Sequence, residues 1–433
     1  MTFSNTIVFM TIFYNKSYNR SMTKVDQIIT PKWVLTSEED KPQKNLSIVL
    51  SGNRIHDIEN SGDILKKYKT EKHIKLPNHI LLPGLINPYS QLSQQLATEI
   101  KKSYAERNSA GKRGKFTFDS CLNIAAKLTA IKLIKSGTTS YSNISYYPDI
   151  FIKTFSQTGI KLFCGLPILY NKNPWSENEI DCFKKNLAIY DEYKSYPNTK
   201  MFFCLFKSEP VSQSMLDKIA NVANELELPL MLVNNSTESS KKTRHIFESL
   251  IELNLINKNF TCIDFSLDSF VSNLIEKYDI NLVLSDLPEK LFSIKRRRNN
   301  ISTFIENYVL NRDMSLIRNI EQIYLRNKYK STISKTSNIL FKIINKNAAK
   351  VICNEDNTAE LEINKNADMI SIDIDRSDII EDDVMKLHFF NTNERNMIDN
   401  VWIAGKHVYK NRKLVTINEH ILYDEIEHFN GYR

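Results

Sequence analysis

Leu81-Leu82-Pro83-Gly84-Leu85-Ile86-Asn87-Pro88-Tyr89-Ser90-Gln91-Leu92 is the stretch on which the reading of this chain turns. An apolar run broken by Pro83-Gly84 leads into Asn87, Tyr89 and Gln91, side chains spaced by two. Residues two apart on a strand point to the same face, so Tyr89 and Gln91 stand side by side at a strand end. Upstream, apolar runs such as Ile48-Val49-Leu50, broken by Gly52-Asn53 and Ser61-Gly62, predict small β structure over 24–80. Downstream, strands are expected at 81–87, 138–144, 160–166, 200–206, 229–235, 259–264 and 280–285, with an eighth near 301–306. Amphipathic stretches at 121–136, 178–194, 213–227 and 267–278 alternate with them. Such alternation indicates βαβ units, and eight of them favour a closed (β/α)8 barrel over an open sheet. Residues 313–354 read as helical, and strand patterns return at 368–374 and 399–416.

The length of 433 residues accommodates one large barrel and a smaller appended unit. Hydrophobic content is 42%, and no run of 18 apolar residues suggests a membrane span. The apolar run Ile7 to Tyr14 lacks a basic start and a cleavage site, so 1–21 reads as a dispensable extension. The six cysteines include no Cys-x-x-Cys pair and several lie in apolar runs, which suits a reducing cytoplasm. No two of the eight histidines are spaced to share a metal. Glycine is scarce, ten residues against a usual ~7%, which fits relaxed demands on loops and equally a Lys/Asn/Ile-rich genome bias. The net charge of +8 is mild and partly local, so neither nucleic acid nor membrane is an expected partner.

The 81–92 stretch resembles the first-strand signature of the amidohydrolase superfamily, in which Pro-Gly-Leu-Ile-Asn runs into His-x-His. Further landmarks are similar to the methylthioadenosine/S-adenosylhomocysteine deaminase and chlorohydrolase branch: Ser136-Gly137-Thr138-Thr139, Gly165-Leu166-Pro167, Glu227-Leu228-Pro229, Asn347-Ala348-Ala349, Ala367-Asp368-Met369 and Val401-Trp402-Ile403-Ala404-Gly405. The resemblance spans most of 24–416. It implies a (β/α)8 TIM-type barrel over 81–355 and a small β-sandwich built from 22–80 and 356–425. The family would use zinc or iron, held by about three nitrogen or oxygen ligands with one position open for water.

At the places of the family's metal and catalytic residues this chain carries Tyr89, Gln91, Phe206, Val233, Ser236 and Asp264, and Glu306 falls at the end of strand eight. A phenol, a carboxamide and a valine are poor zinc ligands, so no metal or other cofactor is expected. Asp264 and Glu306 remain as residual catalytic candidates. The leading expectation is a catalytically degenerate amidohydrolase-fold protein with a binding or assembly role. Alternatives are a divergent hydrolase acting on carbon–nitrogen bonds of a purine-like substrate, and a non-catalytic subunit paired with an active relative. A homodimer is expected from the family.

Two basic runs, Lys101 to Lys115 and Lys295-Arg296-Arg297-Arg298, follow strands one and seven. Loops after strands lie at the C-terminal face of such a barrel, so the runs are either solvated loops or a site at the mouth for an anionic small molecule or an acidic protein partner. Arg296, Arg297 and Arg298 are the candidate contacts, since guanidinium forks grip carboxylate and phosphate bidentately.

Overall fold

The computed structural model describes residues 22–37, 41–107, 117–235, 240–287, 300–304, 315–317, 323, 333–352, 358–374, 398–420, 422, 424 and 425. Eight parallel strands lie in sequence order: Leu85–Asn87, Thr138–Ile144, Lys161–Pro167, Thr199–Phe206, Leu230–Val233, Phe260–Ile263, Asn281–Leu284 and Ile301–Thr303. Nearly every residue on them is buried, as strands covered on both faces require. The helices between them start at caps written into the sequence. Thr117, Asn178, Ser212 and Asp268 each accept a backbone N–H from the first turn of the following helix, worth about 1 kcal/mol apiece.

The barrel is almost closed. Among the described residues no hydrogen-bond ladder joins the eighth strand to the first. The seam is covered by helices Ile333–Ile344 and Lys346–Val351. Ser302 donates to the Ile343 carbonyl at 2.8 Å, and Asn347 donates through Nδ2 to the Ile301 carbonyl at 2.6 Å. With its amide turned to suit its neighbours, Asn345 sets its nitrogen 3.3 Å from the carbonyl of Gly84, just before the first strand. Ala348 and Ala349 are fully buried, and their small side chains let the helix lie close on the seam.

The terminal segments form one mixed sheet, in the order Lys413–Leu414, Lys406–Lys410, Ile398–Ile403, Met369–Asp373, His73–Pro83, Gln27–Val34, Leu46–Ser51 and Arg54–Asn60. Its central strand, His73–Pro83, runs parallel to Gln27–Val34 and antiparallel to Met369–Asp373. The run read from sequence as the first barrel strand is therefore divided. Leu81 to Pro83 belong to the terminal sheet, and the barrel strand begins at Leu85. Gly84 is the joint: its N–H donates to Asp368 at 3.0 Å, and a Cβ there would collide with the Thr139 side chain. The sheet curls on itself until its turns meet. Gln27 donates to the Gly405 carbonyl at 2.9 Å, and Gly405, at φ +73°, lies so close to the Gly52 carbonyl that no side chain fits.

Candidate functional site

Alternation along the strands sorts side chains to the two sides of the barrel wall. Phe203, Leu205, Leu230, Leu232, Cys262 and Leu282 pack outward beneath the helices. Phe202, Cys204 and Phe206 on strand four, with Met231, Val233, Ile263 and Val283 on strands five to seven and Phe304 just past strand eight, pack together in the second cluster. Phe163 and Phe202 have ring centroids 4.3 Å apart. Gly165 leaves the room this needs: a Cβ there would stand 2.7 Å from Ile144 and 2.9 Å from Phe202.

At the C-terminal mouth, the Tyr89 ring meets Phe304 edge-on, with centroids 4.7 Å apart and planes at 88°. Tyr89 is 6% exposed, Phe206 8% and Val233 4%, all within the same apolar cluster. Gln91 is half-buried and opens the helix Leu92–Arg107, where its carbonyl accepts from the N–H groups of Gln94 and Gln95. Asp264 follows strand six in the left-handed region, φ 56°, a conformation that aspartate tolerates better than most residues. Its Oδ1 accepts the Ser285 N–H at 2.7 Å, while its own carbonyl accepts from Asn234 Nδ2 at 2.9 Å. Burial raises the Asp264 carboxyl above its ordinary range, against the opposing pull of the Ser285 hydrogen bonds.

The structure thus brings Tyr89, Phe206 and Val233 together and places Asp264 at the same end of the barrel. Ser236, Glu306, Arg296, Arg297 and Arg298 lie outside the described residues, as do Lys112, Arg113 and Lys115. Lys101 and Lys102 are exposed near the end of helix Leu92–Arg107, and the Lys101 ammonium sits 5.5 Å from the centre of the Phe118 ring.

Zinc or iron would need about three convergent nitrogen or oxygen donors. The described positions supply a ring packed edge-on against Phe304, a valine, a carboxamide at a helix start and one carboxylate already accepting a backbone N–H. This donor set does not fit such an ion. Among the described residues, the metal-ligating side chains that do converge are His79, Asp373 and Asp399, their ligand atoms within 4.8 Å of one another. They lie on the terminal sheet. His79 Nε2 is 2.9 Å from Asp399 Oδ2, and the Arg412 guanidinium pairs with the other oxygen of Asp399, so that carboxylate already has a hydrogen-bond partner and a cation. Sequence reading missed this group because the strand His73–Pro83 is too polar to stand out. The register that sets His79 opposite Asp373 would have been the signal.

No family model matches the chain. Its overall shape does have clear parallels. An adenosine deaminase from Xanthomonas campestris, solved with bound zinc, superposes with a TM-score of 0.79 at 15% identity, over 95% of this chain and 99% of that one. The fold is the amidohydrolase fold. The atrazine chlorohydrolase of Arthrobacter aurescens, complexed with zinc, superposes with a TM-score of 0.74 at 12% identity, covering 93% of this chain and 99% of that chain. In sequence, the chain is 22% identical to the 5-methylthioadenosine/S-adenosylhomocysteine deaminase of Teredinibacter turnerae, over 92% of its own length and 95% of the relative's. It is 24% identical to the 5'-deoxyadenosine deaminase of Methanobrevibacter smithii, over 87% and 91% respectively.

Proposed function

We propose that this amidohydrolase-fold protein has lost metal-dependent hydrolysis and acts through binding or assembly, as a cytoplasmic homodimer. The observation that carries this is the chemistry at the strand ends: Tyr89 against Phe304, with Phe206 and Val233 buried in the same cluster. A deaminase of this fold needs a metal to lower the pKa of a bound water and a neighbouring acid to move protons. The side chains described at the mouth offer neither a ligand set for the first nor a free proton shuttle for the second. The basic side chains that follow strands one and seven in sequence suit an anionic small molecule or an acidic protein at that end.

A second reading, a divergent hydrolase of carbon–nitrogen bonds, draws support from Asp264. A half-buried carboxyl with a raised pKa at the mouth of a barrel is the kind of group that catalytic sites employ. One experiment separates the two. Protein purified without chelators is analysed for zinc, iron and manganese, and assayed with methylthioadenosine, S-adenosylhomocysteine and 5'-deoxyadenosine. Less than a tenth of an equivalent of metal and no deamination above background are expected. About one equivalent of metal, together with turnover that Asp264→Asn abolishes, would establish the second reading.

A further inference from the structure

The inner side of the barrel wall is not apolar throughout. On the even-numbered strands the inner cluster takes Ile144, Cys204, Ile263 and, just past strand eight, Phe304. Two residues earlier, toward the base of the barrel, stand Ser142, Phe202, Thr261 and Ser302, and a period of two turns them to the same side. The strand register agrees. Ser142 lies opposite Phe163, Thr261 opposite Met231 and Ser302 opposite Val283, each of these partners belonging to the inner cluster. Ser140, opposite Ile86, adds a fourth hydroxyl to that side.

The four hydroxyl-bearing residues are at most 1% exposed. Ser302 donates to the Ile343 carbonyl at 2.8 Å. The hydroxyls of Ser140, Ser142 and Thr261 have no protein partner within hydrogen-bonding distance. Strands two and six are each laddered on both sides, so their own carbonyls already accept backbone N–H groups. Buried hydroxyls rarely stay unpaired, because that forfeits the bonds they make in water. Inward positions of a barrel are ordinarily filled by bulky branched side chains. A serine there gives up at least the ~30 Å³ that one water occupies.

We propose that the barrel interior binds ordered water, anchored by Ser140, Ser142 and Thr261. Water donates and accepts, so it suits a hydroxyl in either role. Ser302, whose proton goes to Ile343, keeps lone pairs for it. Such bridging is the usual role of buried water. Enclosure to 1% exposure or less favours water over any larger polar molecule. Bound water would then stand where branched side chains fill other barrels, and the site does not depend on the reading of the mouth.

The test is a high-resolution crystal structure of the full-length protein beside that of Thr261→Val. In the parent, water density should lie within ~3.2 Å of Ser142 Oγ and Thr261 Oγ1. Thr261→Val keeps the shape of the side chain and removes its hydroxyl. The thermal midpoint should therefore fall by about 2 °C, as a hydrogen bond to water is lost. A dry, unpaired hydroxyl predicts the opposite sign, since a methyl group in its place relieves the burial of a polar group. If Thr261→Val does not fold, Ser142→Ala gives the same two readouts. No water density within hydrogen-bonding distance of these oxygens, or a midpoint that stays or rises, overturns the proposal.

Discussion

At the mouth of the barrel Tyr89, Phe206, Val233 and Phe304 fill space with rings and methyl groups. At the base, Lys161 and Asp368 form an ion pair closed by Thr358 and the Ala404 backbone. The first arrangement depends on volume and the second on direction. Apolar packing tolerates swaps that conserve size, whereas a buried charge stripped of one partner is costly. The landmarks through which the sequence resembles amidohydrolases fall largely on the directional side: Gly84 and Asp368 at the joint with the sheet, Asn347 on the seam, Gly405 at the tight turn. The mouth, by contrast, can give up ionic chemistry while the barrel keeps its shape.

The largest expected effect lies at the base. Lys161→Met leaves the carboxylate of Asp368, 1% exposed, without its ammonium partner, and should cost about 3–5 kcal/mol. Urea unfolding at neutral pH measures it. Adding Asp368→Asn to Lys161→Met should recover part of the loss, because the pair rather than the lysine alone sets the cost. A loss under about 1 kcal/mol, typical of surface pairs, would erase the contrast between the two ends.

At the mouth, Phe304→Ala removes a ring that is 2% exposed and faces Tyr89. About 3 kcal/mol is expected, the lower end for a buried phenylalanine, because a strand end can close partly over the gap. The cavity left should be apolar, and such cavities take up benzene or xenon. Benzene raising the thermal midpoint of this variant, and not that of the parent, would show that volume is what the ring supplies. A near-neutral Phe304→Ala would mean that the mouth is not packed as a core.

The barrel was legible because strands buried on both faces read as continuous apolar runs, as in Phe202 to Phe206 and Leu230 to Val233. Two elements were not. Helix Leu92–Arg107 carries few apolar residues, with Leu92, Leu96 and Ala97 the buried ones among its described side chains, so no helical stripe announces it. The terminal strand His73–Pro83 is half polar, and its apolar end was read as barrel. The identities of Tyr89, Gln91 and Val233 could be read directly against the resemblance, but the ring that Tyr89 meets could not, since Phe304 comes from the opposite end of the barrel sequence. Equally invisible was the approach of residues near 161 and 198, at the starts of strands three and four, to turns near 366 and 404, which only the curled sheet brings together.

The smallest expected effect concerns Asp264, a half-buried carboxyl among the described residues at the mouth. Its folded carboxyl has a pKa above the ordinary 3.8, because burial disfavours the charged form. A raised carboxyl contributes stability that is fully present below the unfolded pKa and is lost as pH rises through the folded value. At neutral pH the carboxylate is therefore a liability to the fold. Asp264→Asn keeps an oxygen for the Ser285 N–H and suits the left-handed backbone at φ 56°. The variant should be slightly more stable than the parent at pH 7, by less than either change above, and the gap should close below about pH 3.8. Urea midpoints at pH 7 and pH 3.5 decide it. A variant less stable at pH 7 would mean that the ionised form is held by a cation at the mouth. Asp264 would then be a maintained charge, and the end of the barrel read here as filled core would have to be read as a working site.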